Sequence, residues 1–365
     1  MSSSSTETER RLREYREKID AIDEQLQALL AARAEQAQAI ARIKHAHAPT
    51  QSFYRPEREA QVLEKVAARH AGPLDRDNVL RIFREIMAAC LALEQPLAVA
   101  YFGPEGSFTE AALRKHFGGA VEAVPLASIK DVFREVTAGT VGFGVVPVEN
   151  SAEGVVTHTH DLFFAASVRI VGEVVLRIHH QLMALGTDRS AIRRVAAHPQ
   201  ALAQCREWLD LHWPELERVP VANNAEAARR AAADGSLAAI ASSEAAARWG
   251  LTVIARNIED TPDNSTRFLV IGQEPVGRSG KDKTSLILSA PNIPGALHAL
   301  LEPLARREIS LARIQSRPAK GALWEYVFFI DILGHEEDSP IRDTLAEFER
   351  EGRLLRRLGS YPRAL

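Results

Sequence analysis

The stretch Asp263-Asn264-Ser265-Thr266-Arg267-Phe268-Leu269-Val270-Ile271 sets a polar, turn-forming cluster directly against an apolar run. The apolar half reads as a buried strand, because a short continuous run of large side chains bounded by turn residues needs cover on both faces. A hydroxyl and a guanidinium at the mouth of that strand then need partners or a ligand, since polar groups withdrawn from water are costly when unpaired.

Upstream junctions repeat the theme. LAVAYFG (97–103) runs into PEGSFTEAALRKHF, and VGFGVVPV (141–148) into ENSAEGVVTHTHDLF. RVAAH (194–198) enters PQALAQCREWL, and LAAIA (237–241) enters SSEAAARW. Strands alternating with helices predict parallel sheets covered on both faces, with ligands at the carboxyl ends of strands and anions at helix N-termini. Any one junction is an ordinary N-cap by Ser, Asn or Thr. Four together favour a cleft for a small anionic ligand, walled by Ser107, Asn150, Ser151 and His198. His158 and His160 are expected on one strand face, and His179 and His180 are adjacent. No cysteine or spaced carboxylates complete a ligand set, so packed or solvated histidines are expected, with no metal or cofactor.

At 365 residues the chain is too long for one ordinary core. A hydrophobic share of 46% with 25% charged residues describes a folded chain, neither disordered nor membrane-embedded. Net charge of -3 gives no basic field for nucleic acid. The opening MSSSSTETERRLREY lacks an apolar core, and Cys90 and Cys205 lie far apart. The expectation is a reduced, cytoplasmic protein with no membrane span. Texture changes near Pro96 and again at the charged, Gly-containing EPVGRSGKDK (274–283), which divides the chain into 9–95, 97–273 and 284–362.

The first segment reads as helix almost throughout. Leu12, Tyr15, Ile19, Ile22, Leu26 and Leu29 alternate steps of three and four, the seam of a long packed helix. Continuing the count lands on Arg33, a cation on a buried stripe that needs either an interhelical carboxylate or an anionic ligand. Arg16 and Arg33 are about 25 Å apart along a helix, whereas Arg33 and Lys44 are about 16 Å apart and can converge. One small anion shared by all three therefore requires Arg16 from a second, antiparallel chain. Arg58 and Glu59 begin the next helix, and Cys90 and Glu94 end the apolar face of the third.

LREYREKIDAIDEQLQALLAARAEQAQAIARIK, RPEREAQVL and FREIMAACLALEQP resemble the all-helical chorismate mutase domain of bacterial bifunctional P-proteins. The resemblance implies an entwined homodimer of three-helix protomers, or a higher oligomer built on it. The partner's copy of Arg16 would complete each pocket. Arg33, Lys44 and Arg58 would hold the carboxylates and ether oxygen of chorismate, and Glu59 its hydroxyl. Cys90 stands where serine is often found, and Glu94 where glutamine is common. Glu94 can donate to the ether oxygen only when protonated.

GPEGSF (103–108), VVPVENSAEGVV (145–156), AHPQALAQC (197–205) and NSTRFLVIG (264–272) resemble prephenate dehydratase. That implies a cleft between two α/β lobes in which Thr266 assists departure of the ring hydroxyl. Arg267 would orient a substrate carboxylate or brace the loop, and Phe268 would line the cleft.

Beyond Gly280, strand, helix, two strands, helix and strand give a ferredoxin-like βαββαβ arrangement. PGALH and QSRP resemble the two effector motifs of ACT domains. Gly295, Ala296, Leu297, His298, Gln315, Ser316 and Arg317 are then expected to bind L-phenylalanine, with Gln315 where glutamate is usual. Taken together the resemblance implies a multidomain α and α/β chorismate mutase/prephenate dehydratase under phenylalanine feedback. Three alternatives remain: an arogenate-preferring enzyme, a non-catalytic two-lobed binding module with an ACT sensor, and a helical dimerisation scaffold.

Overall fold

The computed structural model describes residues 2–47, 54–152, 154–318 and 325–364. Three helices open the chain: α1 (Ser2–His47), α2 (Pro56–Arg69) and α3 (Arg76–Glu94). Pro56 starts α2, where a missing N–H costs nothing. Asp75 caps α3 by accepting from the amides of Asp77 and Asn78. Leu63, Val66 and Leu80 form a small core between α2 and α3. The α1 seam is left in water, with Leu12, Tyr15, Ile19 and Leu29 at 49%, 57%, 55% and 67% exposure.

The middle of the chain runs β1 (Ala98–Phe102), α4 (Phe108–Phe117), β2 (Glu122–Leu126), α5 (Ile129–Ala138), β3 (Phe143–Asn150), β4 (Gly154–Val155), α6 (Thr157–Ala165) and β5 (Arg169–Arg177). It continues through β6 (Gln181–Ala184), β7 (Arg194–Ala197), α7 (Pro199–Gln204), α8 (Arg206–His212), β8 (Glu217–Pro220), α9 (Asn224–Ala233), β9 (Leu237–Ala241), α10 (Ser243–Trp249), β10 (Thr252–Ala255) and β11 (Ser265–Gly272). Two sheets result, ordered β2-β1-β3-β11-β5 with β4 on β3, and β10-β6-β9-β7-β8. The chain crosses between lobes after β5 and again before β11, so a cleft lies between them.

Each sheet is mixed rather than parallel throughout. β11 lies antiparallel between β3 and β5, and β6 runs antiparallel to β9. The cause is the double crossing: β11 returns from the second lobe and enters the first sheet from the opposite end. His158 and His160 lie on α6, not on a strand. His160 is buried edge-on against Phe329, and burial lowers its pKa to about 4.

The last unit is β12 (Asp282–Pro291), α11 (Ala296–Arg306), β13 (Leu311–Pro318), β14 (Glu325–Leu333), α12 (Ser339–Arg350) and β15 (Leu354–Pro362), an antiparallel sheet ordered β13-β14-β12-β15. Its helices cover one face. The other face adds Ile287, Val327, Phe329 and Leu358 to the core of the first lobe. Contact is close enough that a Cβ on Gly359 would meet the Ile170 carbonyl at 2.4 Å. The helical unit is joined as tightly, for a Cβ on Gly118 would meet Ala88 Cβ at 2.7 Å. No described helix is long and apolar enough to cross a membrane.

Candidate active sites

A cleft of about 770 Å³ opens between the lobes. Alternation along β11 turns Thr266 and Phe268 into it, and Asn150 faces it from the paired strand β3. The Asn150 side chain is oriented by its own bonds. Its Oδ1 accepts from the Ala152 amide at 2.9 Å, so its Nδ2 donates to Thr266 Oγ1 and to Asn264 Oδ1, both at 2.8 Å. Because Thr266 Oγ1 accepts from Asn150, its own O–H stays available to donate to a ligand.

The network continues to residues that carry little local signal. Asn264 Nδ2 donates to Gln204 Oε1 at 3.3 Å, and the same oxygen lies 2.8 Å from His180 Nε2. An amide oxygen only accepts, so His180 carries its proton on Nε2 and leaves Nδ1 bare. That Nδ1 is buried without a hydrogen bond among the described residues. Burial, partly opposed by Gln204, lowers the His180 pKa. Its neighbour His179 is instead held by Glu259 at 2.7 Å. Asn223 and Asn224 were likewise unanticipated. Asn223 caps α9, and Asn224 Oδ1 accepts from the His198 amide at 2.8 Å. One signal was available, the NN pair ahead of the alanine-rich AEAARRAAA.

Ser107 caps α4, His198 caps α7 and Ser242 caps α10, and all three line the cleft with Asn223. No lysine, arginine, aspartate or glutamate is among the described lining residues. An anion here would therefore meet amides, hydroxyls and helix N-termini.

Two residues expected at the cleft, Ser151 in its wall and Arg267 on a substrate carboxylate or bracing the loop, lie outside it. The Ser151 hydroxyl donates to the Asp263 carbonyl at 3.1 Å and accepts from the Ser265 amide at 2.9 Å, stapling the end of β3 to the loop before β11. Arg267 faces away from the cleft because it is one residue out of phase with Thr266. Its guanidinium reaches Glu173 at 2.9 Å, Asp331 at 2.7 Å and the Tyr361 hydroxyl at 3.0 Å. Burial opposes its charge, yet Tyr361, Asp331 and Glu173 together hold its pKa above the ordinary value.

A second cluster sits on the helices. Lys44 Nζ is 3.8 Å from Glu94 Oε2, which makes no hydrogen bond among the described residues. Arg33 donates to the Ile86 carbonyl at 3.5 Å and contributes to the field at Glu94. Burial raises the Glu94 pKa, and the attraction of Lys44 and Arg33 only partly offsets it. Cys90 is buried one turn back on α3. Arg16, Arg33 and Arg58 make no ion pair among the described residues, and Arg16 and Arg58 are exposed. Glu59 is not with them. It faces Arg84 at 3.7 Å, beside His116 and Glu173 of the first lobe, where burial raises its pKa to about 7. The reason is rotational: its side of α2 packs toward the lobe, while Arg58, one residue earlier, stays exposed.

In the C-terminal unit, Gly295 precedes α11 with φ of 81°, and Ala296, Leu297 and His298 form its first turn. Gln315, Ser316 and Arg317 lie on the edge strand β13. Arg317 is anchored on the first lobe by Asp161 at 2.6 Å and the Thr157 carbonyl at 3.1 Å. The described residues contain no cluster suited to a metal ion.

Family models match in the same order: chorismate mutase type II over 15–95, prephenate dehydratase over 99–276 and ACT domain over 284–350. A bifunctional chorismate mutase/prephenate dehydratase of Pseudomonas aeruginosa is 52% identical over 97% of this chain and 98% of its own. The chain belongs to the bifunctional chorismate mutase/prephenate dehydratase family. A solved prephenate dehydratase of Arthrobacter aurescens, in complex with L-Phe, is 38% identical and covers 73% of this chain and 90% of its own, with a TM-score of 0.67. GqqA, described as a novel type of quorum quenching acylase, matches at 29% identity over 73% of this chain and 98% of its own, TM-score 0.66. One architecture thus carries more than one chemistry. The relative that matches over the full length, mutase helices included, decides the family here.

Proposed function

We propose that the two activities of this family are divided between the Arg33–Lys44–Glu94 cluster and the Thr266 cleft, with the following roles. The enzyme rearranges chorismate to prephenate on its helical domain and converts prephenate to phenylpyruvate between its lobes, two reactions of phenylalanine biosynthesis. The first is pericyclic and needs no nucleophile, only a held conformer and stabilised charge on the ether oxygen. Arg33, Lys44 and Arg58 supply cations, and protonated Glu94 supplies a donor from the oxygen that makes no hydrogen bond among the described residues. Arg16 enters from a second copy, whose α1 covers the exposed seam. A homodimer follows from that reading.

In the cleft, loss of carbon dioxide from prephenate sends electrons toward the ring as the ring hydroxyl leaves. Thr266 donates a hydrogen bond to that oxygen, Asn150 fixes the threonine rotamer, and helix N-termini meet the two carboxylates. A threonine is too weak an acid for full transfer, so the gain is electrostatic. The Asn150–Thr266 bond carries this reading, because it leaves the Thr266 proton free to be donated to a ligand in the cleft. L-phenylalanine acts on the C-terminal domain through the segments 295–298 and 315–317, beside the exposed Ile293, Leu297 and Ile314.

Turnover of chorismate and of prephenate by the parent chain and Thr266→Ala tests the division. The variant is expected to form prephenate at the parental rate while phenylpyruvate formation drops about 100- to 1,000-fold. Normal phenylpyruvate formation would remove Thr266 from the chemistry. Faster turnover of arogenate than of prephenate by the parent chain would change the substrate assigned to the cleft.

A further inference from the structure

Directly behind the cleft pair, four charges form a square. Across the β3–β11 ladder, Asn150 is the register partner of Thr266 and Glu149 that of Arg267. Alternation sends the first couple to the cleft and the second to the opposite face. There the C-terminal domain presents its own register couple, Arg313 on β13 and Asp331 on β14, with the charges reversed. Arg313 Nε is 3.0 Å from Glu149 Oε2, and Arg267 Nη1 is 2.7 Å from Asp331 Oδ2. Glu173 braces the corner, bonded to Arg267 at 2.9 Å and to Lys283 at 2.8 Å. Arg267 and Asp331 are only 12% and 10% exposed.

Adhesion does not explain this arrangement. The two domains already share an apolar core, and buried ion pairs add little net stability over apolar packing. What such pairs do supply is register, and here register is one residue away from the cleft hydroxyl. β13 also carries Gln315, two positions from Arg313, so the strand assigned to the effector is tied to the strands of the cleft.

We propose that the Glu149–Arg313 and Arg267–Asp331 pairs position Asn150 and Thr266 from behind, so that the C-terminal domain sets dehydratase turnover through them. This rests on the reading of Thr266 as the donor to the departing hydroxyl. None of the four touches substrate; they are positioning residues.

The test is a double-mutant cycle on Glu149→Gln and Arg313→Gln in the full chain, with Arg313→Lys as the conservative control. Each neutral variant is expected to lose about tenfold in dehydratase kcat with KM for prephenate nearly unchanged, because small misplacement of a reacting group is costly. The double variant should lose no more than either single one. Arg313→Lys should keep most of the rate, and the mutase rate of every variant should match the parent. Parental kcat in both single variants, losses that multiply in the double, or a loss carried by KM would each overturn the proposal. With phenylalanine added, Arg313→Gln should be less inhibited than the parent. A parent that phenylalanine does not inhibit would defeat the effector reading, while the kcat cycle would still decide the positioning role. Thr266→Ala with parental phenylpyruvate formation would separately defeat the threonine reading.

Discussion

The two sites proposed for this chain would bind closely related anions by opposite means. The proposed helical site relies on cations, Arg33, Lys44 and Arg58, on helices whose apolar seam lies open to water. The cleft has no lysine, arginine, aspartate or glutamate among its described lining residues. The difference follows from architecture. A three-helix unit with a core of a few residues encloses a ligand poorly, which is why the proposed site draws on long cationic side chains and a second copy. A two-lobed α/β unit converges several helix N-termini, and these provide positive potential without a buried charge to desolvate. A site made of charges is sensitive to partner and pH, and a site made of dipoles is sensitive to geometry.

The largest effect should come from breaking the shared helical site. Arg16→Ala and Arg33→Ala are each expected to cost the mutase about 100- to 1,000-fold while sparing the dehydratase. If each pocket takes Arg16 from the partner, mixing the two inactive chains regenerates one intact pocket per heterodimer. Random exchange in a two-fold dimer then returns about a quarter of the parental mutase rate. A mixture as inactive as its components would put both arginines in the same chain's pocket, and the dimer reading would fail.

A smaller effect is expected from Glu94, whose protonated form is the useful one. Its pKa is raised, so the acid persists above the ordinary carboxylate range and mutase activity falls as pH climbs through that raised pKa. Above it the rate should drop about tenfold per pH unit. Glu94→Gln, always a donor, should flatten this limb and leave the dehydratase profile as in the parent. A Glu94→Gln profile that still falls would assign the titration to another group.

How much of this was legible in the sequence depended on the kind of signal. The α1 helix, the strand–helix alternation and the strand opened by Thr266 are local patterns, and each appears in the structure as an element, although the α1 seam expected to be packed lies exposed in the single chain. Rotational phase was harder to read. Arg267 follows Thr266 in sequence, and the pleat of β11 sends it to the other face. Glu59 follows Arg58, and one step of about 100° around α2 turns it toward Arg84. Ser151 follows Asn150 and ends outside the cleft. Gln204, Asn264 and His180 come from three separate segments, and only the two lobe crossings bring them together. Topology of that range leaves no periodicity in a sequence.

The smallest expected effect concerns Glu59, where phase puts the resemblance and the geometry at odds. The resemblance assigns it the chorismate hydroxyl, whereas its side chain, 17% exposed, lies at the seam of helices and first lobe beside Arg84. Burial raises its pKa to about 7, from an ordinary carboxylate value in the unfolded chain. A group with a raised folded pKa stabilises the fold below its unfolded pKa, and that contribution is lost as pH rises through the folded one. The window therefore runs from about pH 4.5 to just above pH 7. After allowance for the water that reaches this seam, the contribution is on the order of 1 kcal/mol, or a few degrees in Tm. Glu59→Gln should abolish that pH dependence of unfolding while the mutase rate at neutral pH stays within about threefold of the parent, the span of an ordinary packing change of less than 1 kcal/mol. A hundredfold loss of mutase rate with an unchanged unfolding profile would return Glu59 to the helical pocket. The assembled dimer would then have to turn α2 away from the lobe it packs against in the single chain.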